Sequence, residues 1–258
     1  MTDFDMHFDP QIPRETDVAS GLPIGPRLVA TGPAPRPERI TLEGRYCRLE
    51  PFDASRHAEG LFQACTPPDA GARFLYLSEE PPRSVAEMHA WMTDKAKSQD
   101  PLFFTVIDAT RGRALGRQAL MRIEPTHRVI EIGSIYWGPE MSRSRISTEA
   151  QYLFMKYAFE LGYRRYEWKC NALNAPSRAA ALRFGFVYEG HFRRAAVVKG
   201  RSRDTSWFSI LDEEWPALQR AYETWLRPAN FDEAGRQRQR LSALTRIASS
   251  ETSVQDGA

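Results

Sequence analysis

Residues 137–150 read Trp137-Gly138-Pro139-Glu140-Met141-Ser142-Arg143-Ser144-Arg145-Ile146-Ser147-Thr148-Glu149-Ala150. They lead into a run in which Ile146, Ala150, Leu153, Phe154, Tyr157, Ala158 and Leu161 share one face of a helix, with Gly162 where a C-terminal cap belongs. The first N–H groups of a helix lack intrahelical acceptors and carry positive partial charge, so the loop before such a helix suits phosphate. Arg143 and Arg145 add two fixed charges, and Ser142, Ser144, Ser147 and Thr148 add hydroxyl donors. A pyrophosphate would fit there. The same residues equally describe a solvated loop in which one Ser or Thr only caps the helix.

The elements around this loop alternate in type. Arg45 to Phe52 has the period-two polarity of a strand, and a helical stretch follows from about Arg56 to Cys65. Ser84 and Glu87 form a capping box before Val85, Met88, Trp91 and Met92 at helical spacing. Leu102 to Asp108, Arg113 to Glu124 and Val129 to Trp137 read as an antiparallel meander. After the main helix come a strand, Arg165 to Cys170, and a short helix, Pro176 to Phe184. Two long strands follow, about Val187 to Lys199 and Asp204 to Leu211, and then a final helix from Pro216. A strand, helix, strand unit inside otherwise antiparallel pairing implies a mixed sheet with one crossover helix, an α/β (α+β) fold.

The chain has 258 residues, 42% hydrophobic and 26% charged, with 35 Lys plus Arg against 33 Asp plus Glu. A formal charge of +2 excludes a broad surface for nucleic acid or anionic membrane, so any basic function is local. No apolar run is long enough to span a bilayer, and the Met1-Thr2-Asp3-Phe4-Asp5 start lacks the features of a secretory signal, which predicts a soluble, cytoplasmic protein. Cys47, Cys65 and Cys170 have no metal-ligand or disulfide spacing and read as small buried hydrophobes, so no metal is expected. Seven of the 18 prolines lie between Pro10 and Pro37. We therefore expect a proline-rich arm over residues 1–40, disordered or extended, then a folded domain over 41–226. Residues 227–258, which include Arg236-Gln237-Arg238-Gln239-Arg240, read as a polar tail, a loose helix followed by disorder.

Downstream of the loop, Leu161-Gly162-Tyr163-Arg164-Arg165 enters a strand, Asn174-Ala175-Pro176-Ser177 opens the short helix, and Gly185-Phe186-Val187-Tyr188-Glu189-Gly190 begins the next strand. With Thr148-Glu149-Ala150 before them, and Asp204-Thr205-Ser206-Trp207 and Trp215-Pro216 after them, this order resembles the GNAT N-acetyltransferases. More narrowly it resembles the branch that acetylates ribosomal-protein N-termini, over about residues 40 to 215. The resemblance implies a mixed, mostly antiparallel sheet of six or seven strands flanked by helices. That sheet is splayed between its fourth and fifth strands, here Val129 to Trp137 and Arg165 to Cys170, with acetyl-CoA wedged into the opening. It places the pantetheine arm along the unpaired edge of the fourth strand at Ile135 and Trp137, and the pyrophosphate at Ser142, Arg143, Ser144, Arg145, Ile146, Ser147 and Thr148. Gly133 is either a bulge that frees a backbone N–H for the thioester or a packing glycine.

Two departures from the family pattern stand out. Arg145 occupies the place of the first glycine of the pyrophosphate loop, where it either obstructs phosphate or supplies a side-chain contact in its stead. The tyrosine that many members use to protonate the leaving thiolate is Ala181 here, and the resemblance to the ribosomal branch shifts that role to Ser177. Ser177 could instead only cap or hydrate its helix, and Asn174 is a helix cap, a pantetheine ligand or both. The base that takes the amine proton is sought among Glu131, Glu189 and Asp204, each of which could equally be an exposed residue or an ion pair with Arg193 or Arg194. Tyr76, Trp91, Trp137, Tyr188 and Trp207 line an acceptor cleft or belong to the core. Lys199-Gly200-Arg201-Ser202-Arg203 reads as a basic hairpin turn, solvated rather than bound to RNA. The expected activity is transfer of acetyl from acetyl-CoA to a protein N-terminal amine. A small-molecule amine acceptor, or a non-catalytic acyl-CoA-binding protein, is the alternative; a homodimer is compatible with either, and nucleic-acid and membrane partners are not expected.

Overall fold

The computed structural model describes residues 13–29 and 32–255 and divides into two units, residues 1–33 and 34–258. In the first, Glu15–Thr16 and Pro23–Ile24 pair antiparallel. Their turn is held by the Asp17 carboxylate, which accepts from the Ser20 N–H at 2.8 Å and the Ser20 hydroxyl at 2.6 Å, while Gly21 takes φ +70°. This part of the arm is thus a short hairpin, and residues 1–12 lie outside the described residues.

The second unit is built on one sheet. A two-residue edge, Leu42–Glu43, precedes β1 (Cys47–Pro51), β2 (Leu102–Asp108), β3 (Ala114–Glu124), β4 (Val129–Trp137), β5 (Arg165–Asn171), β6 (Val187–Val198) and β7 (Arg201–Leu211). The helices are α1 (Ala54–Cys65), α2 (Ala70–Arg73), α3 (Val85–Lys95), α4 (Arg145–Glu160), α5 (Ala175–Arg183), α6 (Trp215–Leu226) and α7 (Leu241–Gln255). The spatial order is edge, β1, β2, β3, β4, β5, β7, β6. Every pair is antiparallel except β4 with β5, which α4 connects. The mixed sheet and its crossover helix are as the sequence predicts, with the two-residue edge as an eighth strand.

Strand β2 is apolar on both faces because both faces are covered. Leu102, Phe104 and Val106 face a core shared with Phe154 and Ala158 of α4, whereas Phe103 and Ile107 face Leu61 of α1 and Met88 and Met92 of α3. Helix α1 begins two residues before its predicted start because the Asp53 carboxylate accepts from the N–H groups of Ser55 and Arg56. Strand β7 likewise starts at Arg201, because Lys199 and Gly200, both at positive φ, make a two-residue hairpin turn.

The residues after α6 do not trail away. Phe231 packs edge-on against Trp225 with ring centroids 5.1 Å apart, and Leu241, Thr245 and Ala248 of α7 are buried. Spacing of three to four puts those three on one helix face, which covers the end of α5: the Thr245 hydroxyl donates to the Arg183 carbonyl at 3.4 Å. The polar composition of 227–258 conceals that stripe.

One buried carboxylate ties the sheet edge to α4. Glu149, 4% exposed, accepts from the backbone N–H of Arg45 at 2.9 Å, of Tyr46 at 2.5 Å and of Cys47 at 2.8 Å. Gly44 is required beside it, since a Cβ there would stand 2.5 Å from a Glu149 oxygen. Glu149→Ala strands three donors, of which the Cys47 N–H is buried and the Arg45 and Tyr46 N–H groups are half-buried, so urea unfolding is expected to show a loss of about 3 kcal/mol. A loss below about 1 kcal/mol would mean that water replaces the carboxylate.

Candidate active site

Strands β4 and β5 pair from Val129 with Arg165 to Ile132 with Trp168, and no further. Beyond those pairs the sheet opens, as expected between these two strands. A register shift against β3 puts one extra residue into β4 between Gly133 and Tyr136, and Ser134 there has φ +48°. The bulge is therefore at Ser134, one residue past the glycine that the sequence suggests. Gly133 is the packing glycine: a Cβ would come 2.2 Å from the Met121 sulfur.

A buried arginine fixes this irregular backbone. Arg117, 2% exposed, donates from Nη1 to the Ser134 carbonyl at 2.6 Å and from Nη2 to Glu79 at 3.3 Å, and its guanidinium lies 4.7 Å from the Trp91 ring centroid. Gln118 holds the other end of the opening. It donates to the Ala150 carbonyl of α4 at 3.0 Å and accepts from Trp137 Nε1 at 3.1 Å, so the last side chain of β4 is hinged to the start of the crossover helix.

The opening contains a cavity of about 420 Å³ whose lining includes Glu131, Ser134, Ile135, Trp137, Lys169 and Ser177. Ser177 reaches it because Asn174 caps α5, accepting from the Ser177 N–H at 3.1 Å, with Pro176 in the first turn. The Ser177 hydroxyl accepts from Trp168 Nε1 at 3.1 Å, which leaves its own proton available to donate. Burial pushes the neighbouring Cys170 thiol upward. All three cysteines are buried and free, and burial raises the Cys65 thiol to about 12.

The three carboxylate candidates separate. Glu131 lines the cavity, is buried, and pairs with Lys169 Nζ at 2.9 Å and Arg122 Nε at 3.4 Å. Burial pushes its carboxyl above the usual range against the opposing pull of Lys169 and Arg122. Lys169 also reaches Glu167, the register partner of Glu131, at 2.6 Å and sits 3.7 Å over the Trp207 ring. Glu189 does not join the cavity lining. It takes a double hydrogen bond from Arg165 at 2.7 and 2.6 Å and one from Ser209 at 2.8 Å, and the Arg165 guanidinium holds its carboxyl below the usual range. Arg165, rather than Arg193 or Arg194, is thus its partner. Asp204 accepts from the Arg194 N–H at 2.7 Å and also stays outside. Of the five aromatics, Tyr76 and Trp137 line the cavity, whereas Trp91, Tyr188 and Trp207 pack on Phe52, Phe208 and Phe192.

A larger cavity, about 1380 Å³, adjoins the first and shares Trp137, Ser142, Pro176 and Ala180 with it. Of the expected pyrophosphate residues, Ser142, Arg143, Ser144, Arg145 and Ser147 line it, whereas Ile146 and Thr148, inside the first turn of α4, do not. The four hydroxyls of residues 142–148 bind the loop to itself. Ser142 donates to the Gly138 carbonyl at 3.0 Å, Ser144 to Met141 at 2.7 Å, and Ser147 and Thr148 to Ser144 at 3.0 and 3.3 Å. Ser144 Oγ in turn caps α4, accepting from the N–H of Ile146 at 3.1 Å and of Ser147 at 3.5 Å. Thr148 and Ser147 are buried, and Thr148 accepts from Arg183 at 3.1 Å. Among the described residues the N–H groups of Arg143 and Arg145 have no partner, and Arg143 is exposed at φ +59°. Arg145 is held between two rings, 4.9 Å from the Tyr46 centroid and 4.8 Å from that of Phe231. Its side chain therefore lies against the wall while its backbone begins the helix.

Sequence reading missed one wall altogether. Arg183, Trp225, Phe231 and the 235–240 stretch line the larger cavity. The only trace in the sequence is the Arg-Gln-Arg-Gln-Arg alternation within an otherwise tail-like segment. Among the described residues no group of His, Cys, Asp and Glu is arranged to hold a metal, and no helix is long and apolar enough to cross a membrane.

A family model described as an acetyltransferase (GNAT) domain matches residues 47–187. The candidate ribosomal N-acetyltransferase YdaF of Bacillus subtilis (strain 168) is 30% identical over 172 residues, 65% of this chain and 90% of that protein. The ribosomal-protein-serine acetyltransferase of Escherichia coli (strain K12) is 33% identical over 103 residues, 39% of this chain and 56% of that protein. The crystal structure of a GCN5-related N-acetyltransferase from Brucella melitensis is similar over 83% of this chain and 98% of that one, with a TM-score of 0.82 and 57% identity.

The stacked arginine gives a test of its own. Arg145→Ala removes two cation–π contacts and is expected to lower stability by about 1–2 kcal/mol in urea unfolding. Amide exchange should rise in the Phe231 segment that the arginine clamps, and unchanged exchange there would show that the clamp does not hold the segment.

Proposed function

This chain belongs to the GNAT family of acetyltransferases, which use acetyl-CoA and an amine acceptor, and on that premise we propose that its acceptor is a protein N-terminal α-amine of the ribosomal-protein type. The observation that carries the reading is the opening between β4 and β5, with the Ser134 bulge, Ser177 and Glu131 on one cavity. The names of the Bacillus subtilis and Escherichia coli relatives support the acceptor class. So does the electrostatics. An α-amine has a pKa of about 7.7–8.0 against about 10.4 for lysine, so it needs only a modest base, and Glu131, ion-paired to Lys169, is a modest base.

In this proposal the residues fit acetyl-CoA as follows. The free N–H groups before α4 and the Arg143 guanidinium take the pyrophosphate, and the edge of β4 at Ile135 and Trp137 takes the pantetheine arm. Asn174, whose side chain caps α5, borders the arm. Glu131 accepts the ammonium proton, directly or through one water, freeing the nitrogen lone pair. The new N–C bond forms as the C–S bond breaks; the Ser177 hydroxyl, placed in the first turn of α5, gives its proton to the departing thiolate, the second proton lost by the acylated nitrogen passes through water to reprotonate Ser177, and Glu131 returns its own proton to solvent. The double ion pair of Glu189 with Arg165 makes it a structural residue here.

Thiol release measured across a panel of N-terminal peptides and small amines, polyamines included, tests the acceptor. Turnover is expected with Ser- or Ala-initiated peptides; turnover confined to small amines would overturn the assignment. Ser177→Ala is expected to lower kcat by about 10²-fold or more with acetyl-CoA affinity unchanged, and Glu131→Gln by a similar factor. A carboxyl with a raised pKa is protonated as pH falls through that value, so activity is lost on the acid side. The acid limb of kcat should therefore lie above the ordinary carboxylate pKa of about 4.3 and vanish in Glu131→Gln. A limb that persists would assign the base elsewhere.

A further inference from the structure

The larger cavity is lined by six arginines, Arg143, Arg145, Arg183, Arg236, Arg238 and Arg240, and by no carboxylate side chain. Three of the six guanidiniums are engaged. Arg145 is stacked between Tyr46 and Phe231; Arg183 bonds Thr148 and lies 5.2 and 5.4 Å from the Phe184 and Trp225 rings; Arg236 pairs with Asp232 at 2.8 Å. Arg143, Arg238 and Arg240 are exposed and form no ion pair among the described residues.

Arg238 and Arg240 stand on a built wall. Asn230, 8% exposed, donates to the carbonyls of Trp225 at 3.0 Å and Gln239 at 3.3 Å and accepts from the Gln239 N–H at 2.8 Å, while its own carbonyl accepts from the Arg238 N–H at 2.6 Å. Gln237 accepts from Trp225 Nε1 at 2.8 Å, and Asp232 accepts from the Arg236 N–H at 2.8 Å. Both ends of the loop are thus fastened to α6, and Arg145 stacks on its Phe231. Folding has already met the cost of ordering this segment, which is the condition for a preformed charged subsite. The segment lies outside the residues that the family model matches.

Charge separates two roles for the cavity. The donors before α4 and Arg143 suit a diphosphate. A second pair of exposed guanidiniums lining this cavity, Arg238 and Arg240, calls for a further anion on the same ligand, and a phosphate monoester carries about −1.5 to −2 with three acceptor oxygens. We propose that Arg238 and Arg240 form a subsite for the 3′-phosphate of acetyl-CoA, so that the segment after α6 discriminates the phosphorylated cosubstrate from its dephospho form. This rests on the reading of the cavity as the acetyl-CoA site.

The test is calorimetric titration of the full chain with acetyl-CoA, with 3′-dephospho-acetyl-CoA and with inorganic phosphate. The unaltered protein should favour acetyl-CoA over the dephospho form by about tenfold or more, the effect of charge-assisted bonds to one phosphate. The paired substitution Arg238→Gln with Arg240→Gln should bring the two affinities within about twofold and leave that for the dephospho form unchanged. Each single substitution should show part of the loss, which keeps the test available if the pair unfolds. Equal binding of both forms by the unaltered protein, or a preference that survives the paired substitution, would overturn the subsite. Tight binding of inorganic phosphate that the substitutions abolish, without a change in the acetyl-CoA ratio, would assign the arginines to a free anion instead. Failure of the unaltered protein to bind either acetyl-CoA form would overturn the acetyl-CoA reading itself, and the subsite with it.

Discussion

Strands β4 and β5 share four residue pairs and then diverge, and the divergence has to be supported from both sides. A parallel pair needs a crossover, and α4 supplies it, so the N-terminus of a 16-residue helix arrives beside the mouth of the opening. The same geometry leaves backbone groups of β4 without strand partners. An open sheet of this kind survives only if something else holds those groups in place. Arg117 does so at the Ser134 carbonyl, Gln118 does so through Trp137, and the Ser177–Trp168 hydrogen bond does so on the β5 side. Arg117, Gln118, Glu131 and Glu167, four of the polar residues buried in this domain, are therefore concentrated where the sheet departs from regularity.

That concentration explains the mixed electrostatics of the site. Glu131 and Glu167 face each other across the parallel pair, an arrangement that repels unless a cation intervenes, and Lys169 bridges both while resting on Trp207. The lysine that makes the two carboxylates compatible also limits how strong a base Glu131 can be. A strongly basic amine would be poorly served by such a site, whereas an α-amine is suited to it. Glu189, by contrast, sits within a double ion pair on the sheet and bears on packing instead of on the amine.

The phosphate side follows a different logic. Its hydroxyls are consumed in shaping the loop, and its charge comes from arginines contributed by three separate stretches: the loop before α4, the end of α5, and the segment after α6. Arg145 is where those stretches meet. An arginine in place of a loop glycine looks like an obstruction when only the loop is considered. Between Tyr46 and Phe231 it is the contact that brings the β1 side and the last segment against the helix start.

The sequence by itself determined what depends on short-range spacing. The apolar stripe of α4, the meander of β2 to β4, the Asn174 cap that presents Ser177, and the opening between β4 and β5 were all legible, the last through family resemblance. Polar residues carry less information, because one side chain can serve a ligand, a loop or an ion pair with the same local pattern. Tertiary structure decided that Glu131 and not Glu189 or Asp204 borders the cavity, that Ser134 and not Gly133 bulges, and that Arg145 stacks. It also turned a tail-like composition into a wall, since the partners of Phe231, Asn230 and Leu241 lie on α5 and α6, close in space and invisible to any window along the chain.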